Sequence, residues 1–456
     1  MSKQSFIYGI MNTTIFMPYL IFVLMGDHYS SVLSGWLPLL LFYTFKYTGT
    51  YLLNTFRLQL QSRNLLLQLL IVSIIGCLCG LLTPLASSWL DGSAVLLGIS
   101  SGLLLPLYTT IQYHQRYLHH QRMSGKQYLW AFISMLLLLF IMLVVLRSPY
   151  PYVVFIIYGS IFLYSYIELR KLPEFEVESK GGFRFNRYSL FAFLSLSILL
   201  FASKGIRQTL DTTFAELLMV GLIISLLLLF MLLRKHKVMF KLSAGIRYFA
   251  FVHGMTMNFY VLHSTIWTIS KDDNSFLIYG VYLPYFIGNI ASLLLGGKLL
   301  RSVDRLYVMP ILAAGSILGL IMTLFTTTLS IGGFVIGLCT SMLGVLLNRK
   351  AYDTCSEDRD SSILARSRWS MLGSTVNQIA MMTLLIVLGL IHRLPIHDAV
   401  LDASGKIVHH QESLTDTLYL TGIIVVCGIS LLYAYGIWKF IKDKDERRRQ
   451  ALEEER

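Results

Sequence analysis

The stretch that decides the fold is YLWAFISMLLLLFIMLVVL, residues 128–146. It contains no charged residue, no glycine and no proline. Wound into a helix at 1.5 Å per residue it is about 28 Å long, close to the ~30 Å hydrocarbon layer of a bilayer. Similar runs follow one another on both sides of it, from Phe6 to Ile441. They predict an all-α integral membrane protein of fourteen spans, near 5–25, 31–53, 64–85, 93–112, 128–146, 150–168, 188–204, 214–233, 248–269, 276–297, 306–326, 331–348, 370–392 and 417–438. The first run begins directly behind Met1–Gln4 with no small-residue cleavage site before the next, so it reads as an uncleaved span.

Composition agrees. Of 456 residues 55% are hydrophobic and only 14% charged, against ~25% charged in soluble domains, and the mean hydropathy is +0.64. Water is not the main solvent. The five cysteines lie in apolar runs (Cys77, Cys79, Cys339, Cys427) or a short polar segment (Cys355), none of them in a segment expected outside, so no disulfide framework is predicted. No metal site, cofactor or catalytic residue is expected either. The pair Cys77 and Cys79 lacks further ligands nearby, and His114, His119 and His120 with Arg116 and Arg122 read as a loop surface. No Walker A pattern occurs, which argues against ATP-driven transport within this chain.

Positive loops stay cytoplasmic. With the N-terminus inside, 31 of the 38 Lys and Arg fall on the cytoplasmic side and 6 outside, Lys46 being inside a span. Both termini are therefore expected in the cytoplasm of a cell (inner) membrane protein. The net charge of +13 is spread over alternate short loops, where it meets anionic headgroups rather than nucleic acid. Two connections are long. Glu168–Arg187, with Pro173 and Gly181-Gly182, reads as a linker. In the outer segment Arg393–Asp416, two short apolar runs flank Asp402-Ala-Ser-Gly405, which fits a small β-hairpin or a disordered loop.

The predicted domains are a six-helix bundle over 1–169, a cytoplasmic linker 170–187, two accessory helices over 188–245, a second six-helix bundle over 246–441 with the outer loop 393–416, and a tail 442–456. This arrangement resembles the fourteen-span drug:proton antiporter group (EmrB/QacA type) of the major facilitator superfamily. Asn12-Thr-Thr-Ile-Phe-Met-Pro18 resembles that group's first-span signature, Gly98-Ile-Ser-Ser-Gly102-Leu-Leu-Leu-Pro106 its fourth-span stretch, and Gly297-Lys-Leu-Leu-Arg301-Ser-Val-Asp304-Arg305 the superfamily's loop motif. The resemblance implies secondary transport by alternating access, efflux of drug-like compounds and proton coupling. It also implies, in a Gram-negative cell, a periplasmic adaptor and outer-membrane channel. The chain departs from the group where its first-span acid is replaced by Asn12, its fourth-span arginine by Ala94, and where the fifth span lacks the glycines and proline of the antiporter motif.

The same residues have reasons of their own. Gly98 and Gly102 share a helix face and admit a neighbouring helix, Pro106 frees a backbone carbonyl, and Arg301, Asp304 and Arg305 would form a charged latch at a helix end. Ionisable residues within spans are functional candidates by default. Lys46 is the most unusual, flanked by Tyr43 and Tyr47; it either snorkels or sits in a cavity, attracting an anionic substrate or replacing a coupling cation. His253, Asn258 and His263 turn about 500° between each pair and spread around their helix. Either histidine is a candidate proton coupler, and Asn377 a substrate contact or interhelical glue. These point to a membrane transporter of a small amphipathic or drug-like molecule. A lipid or anionic-solute transporter on the same fold is the alternative, and a membrane-embedded transferase a weaker one.

Overall fold

The computed structural model describes residues 3–26, 32–55, 61–121, 123–173, 175, 185–205, 242–270, 276–302, 307–354, 359–391 and 411–454. Every regular element among them is helical: α1 (Lys3–Gly26), α2 (Val32–Thr55), α3 (Ser62–Leu81), α4 (Ser88–Leu118), α5 (Gly125–Leu146), α6 (Val154–Arg170), α7 (Arg187–Gly205), α8 (Ala244–Ser270), α9 (Leu283–Ser302), α10 (Val308–Met322), α11 (Leu329–Thr354), α12 (Arg359–Ile391) and α13 (Gln411–Glu454). Among the described residues seven helices are long and apolar enough to cross a membrane, or eight with the bent α1 taken as one span. Span 214–233 and the hairpin segment 399–408 lie outside the described residues.

Local chemistry sets the helix ends. α5 starts behind a capping box: the Gln127 amide donates to Ser124 Oγ (3.3 Å) and the Ser124 amide to Gln127 Oε1 (2.7 Å). α4 ends where the His119 and Gln121 amides both return to the Gln115 carbonyl (3.2 and 3.0 Å), with His120 in the left-handed region at φ 54°. The polar stretch Ser361–Ser370, expected to precede span thirteen, is already helix, so α12 begins at Arg359. A π-helical turn, Leu277–Tyr282, leads into α9. Its carbonyls at Gly280 and Val281 accept from Ser330 Oγ (2.8 Å) and Tyr260 Oη (2.7 Å), which stabilises the widened turn.

The chain divides into two compact units, Met1–Phe240 with Cys355–Ala365, and Lys241–Thr354 with Arg366–Arg456. In unit 1, α4 packs on α1, α2 and α3, α6 on α3, α5 on α1, and α7 on α2. Unit 2 repeats much of the scheme: α11 packs on α8, α9 and α10, and α13 on α10. Glycines mark equivalent crossings. A methyl on Gly102 of α4 would meet the Lys46 carbonyl of α2, and one on Gly337 of α11 the Tyr285 carbonyl of α9. Gly9 of α1 lies against Ala131 and Ser134 of α5, as Gly254 of α8 lies against the Ser370 carbonyl of α12. Small residues at such crossings let backbones approach where lipid gives no hydrophobic drive between helices.

Candidate functional site

The first-span signature sits at a bend. α1 turns by 46° between Lys3–Thr14 and Phe16–Gly26. Pro18 has no N–H for the Thr14 carbonyl. Thr13 Oγ1 and Thr14 Oγ1 instead donate back to the carbonyls of Ile10 and Met11 (both 2.7 Å), an interaction that also bends helices. Asn12 Nδ2 donates to the Tyr8 carbonyl at 2.7 Å. In α4 the helix continues through Pro106 without a break, Thr110 Oγ1 donating to the Pro106 carbonyl at 3.1 Å.

α2 runs antiparallel to α1, Phe22 meeting Phe42 (centroids 5.5 Å apart) and Tyr19 meeting Tyr43 (5.4 Å, edge to face). Tyr43 and Tyr47 stack at 6.3 Å with planes 7° apart. Lys46 Nζ lies 5.4 Å from the centroid of the Phe42 ring. Since α2 extends to Thr55, Lys46 stands roughly 14 Å from that end at 1.5 Å per residue, deeper than the expected boundary at 53 places it.

Two kinds of exposed face occur on unit 1. Those of α3, α5 and α6 are aliphatic and aromatic, with Ile71, Ile75, Leu137, Phe140, Ile156 and Leu163 all more than two-fifths exposed. The α1–α2 face carries half-buried Asn12, Tyr43, Lys46 and Tyr47 beside exposed Phe16 and Tyr19. Lipid tails suit the first kind. An amide, phenols and an ammonium at mid-span suit a polar cavity.

In unit 2 the α8–α12 seam is polar. Ser374 Oγ donates to the Gly254 carbonyl (2.9 Å), and Asn377 Nδ2 to Asn258 Oδ1 (3.0 Å). Asn377 is fully buried and its own Oδ1 has no hydrogen-bond partner among the described residues. His253 is held on both sides, Nε2 3.0 Å from the Thr340 carbonyl and Nδ1 3.4 Å from Ser370 Oγ. His263 is buried between Phe259 (4.9 Å) and Trp267 (6.2 Å), both rings stacked on it. Among the described residues neither His263 nitrogen makes a well-formed hydrogen bond, the Leu418 backbone being the polar group beside the ring. The polar residues of α8 thus point at different helices: His253 at α11 and α12, Asn258 at α12, and His263 toward Gly422 of α13.

One constellation was not foreseen. His114 belongs to α4 and is 1% exposed, which corrects its placing on a loop surface. Its Nε2 lies 2.9 Å from Asp360 Oδ1, while Asp360 Oδ2 accepts the Ser62 amide (2.7 Å) and the Asp360 carbonyl accepts Ser62 Oγ (2.9 Å). Phe175 covers the imidazole, its ring 5.1 Å from that of His114. Asp360 thereby caps the first turn of α3, where an acid is stabilised by the free amides and dipole of the helix.

No family model matches the chain, and no curated protein matches it. Solved structures do. The POT family transporter PepTSo superposes with a TM-score of 0.50 at 13% identity, over 95% of this chain and 98% of that one. The nucleoside transporter NupG gives 0.49 at 12% identity, over 96% and 98%. The chain shares the overall fold of that POT family transporter. The chain is accordingly a multi-pass membrane protein. Within this scaffold, the fourth-span motif makes the close crossing: Gly98 faces the Phe42 carbonyl and Gly102 that of Lys46. Of the loop motif, Gly297 and Arg301 lie in the last turns of α9, whereas Asp304 and Arg305 lie outside the described residues.

Proposed function

We propose that this chain is a secondary active transporter working by alternating access, built as a fourteen-span frame in which α7 and the span over 214–233 are accessory to two six-helix bundles. The observation that carries the reading is the α1–α2 face of unit 1. A lysine and two stacked tyrosines stand half-buried at mid-span, beside a bent helix, in a scaffold similar to that of a known transporter. Discontinuous helices and mid-membrane polar groups are how such folds hold a solute. The cargo in this reading is small and amphipathic, in keeping with the rings around Lys46, and the direction is export. Coupling to protons falls to His263 rather than His253 in this reading, because the two His253 nitrogens lie against the Thr340 carbonyl and Ser370 Oγ, whereas His263 is held mainly between the rings of Phe259 and Trp267.

Purified full-length protein in liposomes tests this with an imposed pH gradient and fluorescent solutes of either charge. The expected outcome is gradient-dependent flux that His263→Ala uncouples, leaving downhill flux. Flux of no solute under any gradient would overturn the transport reading, and flux indifferent to pH in the parent chain would remove proton coupling. One observation favours the alternative of an anionic cargo: the mid-span charge of the α1–α2 face is a cation.

A further inference from the structure

Three features bear on what the α1–α2 face would recognise. The first is the ammonium of Lys46, roughly 14 Å from the helix end at 1.5 Å per residue and steadied over the Phe42 ring. The second is the parallel pair Tyr43 and Tyr47, one helical turn apart, with the edge of Tyr19 against Tyr43. The third is rigidity. The Lys46 carbonyl is packed against Gly102 of α4, Phe45 meets Phe193 of α7 at 6.0 Å, and Thr48 Oγ1 accepts from Ser197 Oγ of α7 at 3.1 Å. The backbone bearing the lysine is therefore fixed on two sides, and the half-buried side chains of Tyr43, Lys46 and Tyr47 are presented from a rigid support.

We infer that this face binds an organic anion carrying an aromatic ring, the acid group taken by Lys46 and the ring laid against Tyr43 and Tyr47. The two parts answer different physics. An ammonium inside a low-dielectric layer attracts an anion far more strongly than it would in water, and it repels the cationic dyes that a drug exporter of the resembled group would carry. Flat rings stack on flat rings, and the tyrosines add phenol groups for a polar edge. A lysine serves any single-point anion, whereas bidentate recognition would call for arginine. A carboxylate or a sulfonate therefore fits equally. The inference rests on the transport reading only for its flux arm, since binding is measured separately.

The test uses naphthalene-2-sulfonate and N-methylquinolinium, two fused-ring ions of similar size and opposite charge. Binding to the detergent-solubilised full chain is followed by calorimetry, and flux by the proteoliposome assay. The chains compared are the parent, Lys46→Met, Lys46→Arg and Tyr47→Leu, each first checked for a single size-exclusion peak and parental helix content. The parent should bind the sulfonate at least tenfold more tightly than the quinolinium. Lys46→Met should lose that preference, Lys46→Arg should keep it within about threefold, and Tyr47→Leu should weaken both ions alike. Equal or better binding of the quinolinium by the parent overturns the inference, as does sulfonate binding unchanged in Lys46→Met or no binding of either ion. Sulfonate binding that follows Lys46 without any flux leaves the binding site standing and sinks the transport reading instead.

Discussion

Placing a lysine at membrane depth costs about 2.5–3.5 kcal/mol on insertion scales, so Lys46 persists only if its surroundings or its task compensate. Contact of its ammonium with the Phe42 face returns part of that, on the order of 0.5–2 kcal/mol for such pairs. The residue was legible from sequence as an oddity in an apolar run, and so were its tyrosine neighbours. What sequence could not give was the partner helix that brings Tyr19 onto Tyr43. Asn377 illustrates the same limit. Its place in a span marks it as costly, but only the fold pairs it with Asn258, 119 residues away. Replacing either asparagine by alanine should destabilise unit 2. A double-mutant cycle read by thermal unfolding in detergent should give a coupling of about 0.6 kcal/mol, the average for interhelical hydrogen bonds in membranes. A coupling near zero would mean that the pair is incidental.

Helices fail or hold at their crossings and ends. A methyl on Gly102 would run into the Lys46 carbonyl, which is backbone and cannot swing aside. Gly102→Ala should therefore cost about 1–3 kcal/mol and lower the unfolding midpoint, while Gly92→Ala, with open space around it, should leave it unchanged or raise it. The fourth-span motif was readable as two glycines on one face, though it did not say which carbonyls they meet. At the end of α4, His120 adopts a conformation that disfavours a side chain. His120→Gly should stabilise the protein by up to about 1 kcal/mol, the left-handed penalty being relieved, as a rise in the same midpoint. The bend in α1 was less legible than its cause. Pro18 announces a lost hydrogen bond, but a proline also stands inside α2 and α4, and only the fold distinguishes the helix that bends.

Across the molecule, apolar periodicity carried the class of fold and the positions of most helices, because a bilayer imposes one length on every span. It carried almost nothing about the Asp360 junction, whose residues are 246 and 298 positions from their partners. A short charged turn in the sequence looks the same whether it is solvated or caps a distant helix. Asp360→Asn should weaken the cap on α3 and the bond to His114, at a cost of about 1–3 kcal/mol for hydrogen bonds to a charged group. The expected signature is faster amide hydrogen exchange in the first turn of α3, with exchange in α5 unaffected; unchanged protection there would show the contacts to be unimportant. The glycine crossings have a further consequence. Gly102 against Lys46 and Gly337 against Tyr285 are joints of one kind, a glycine of one helix on a backbone carbonyl of another, one in each unit. The residue that supplies the carbonyl carries an ammonium in the first unit and a phenol in the second, so the same kind of joint is set beside a charge in one unit and a neutral polar group in the other.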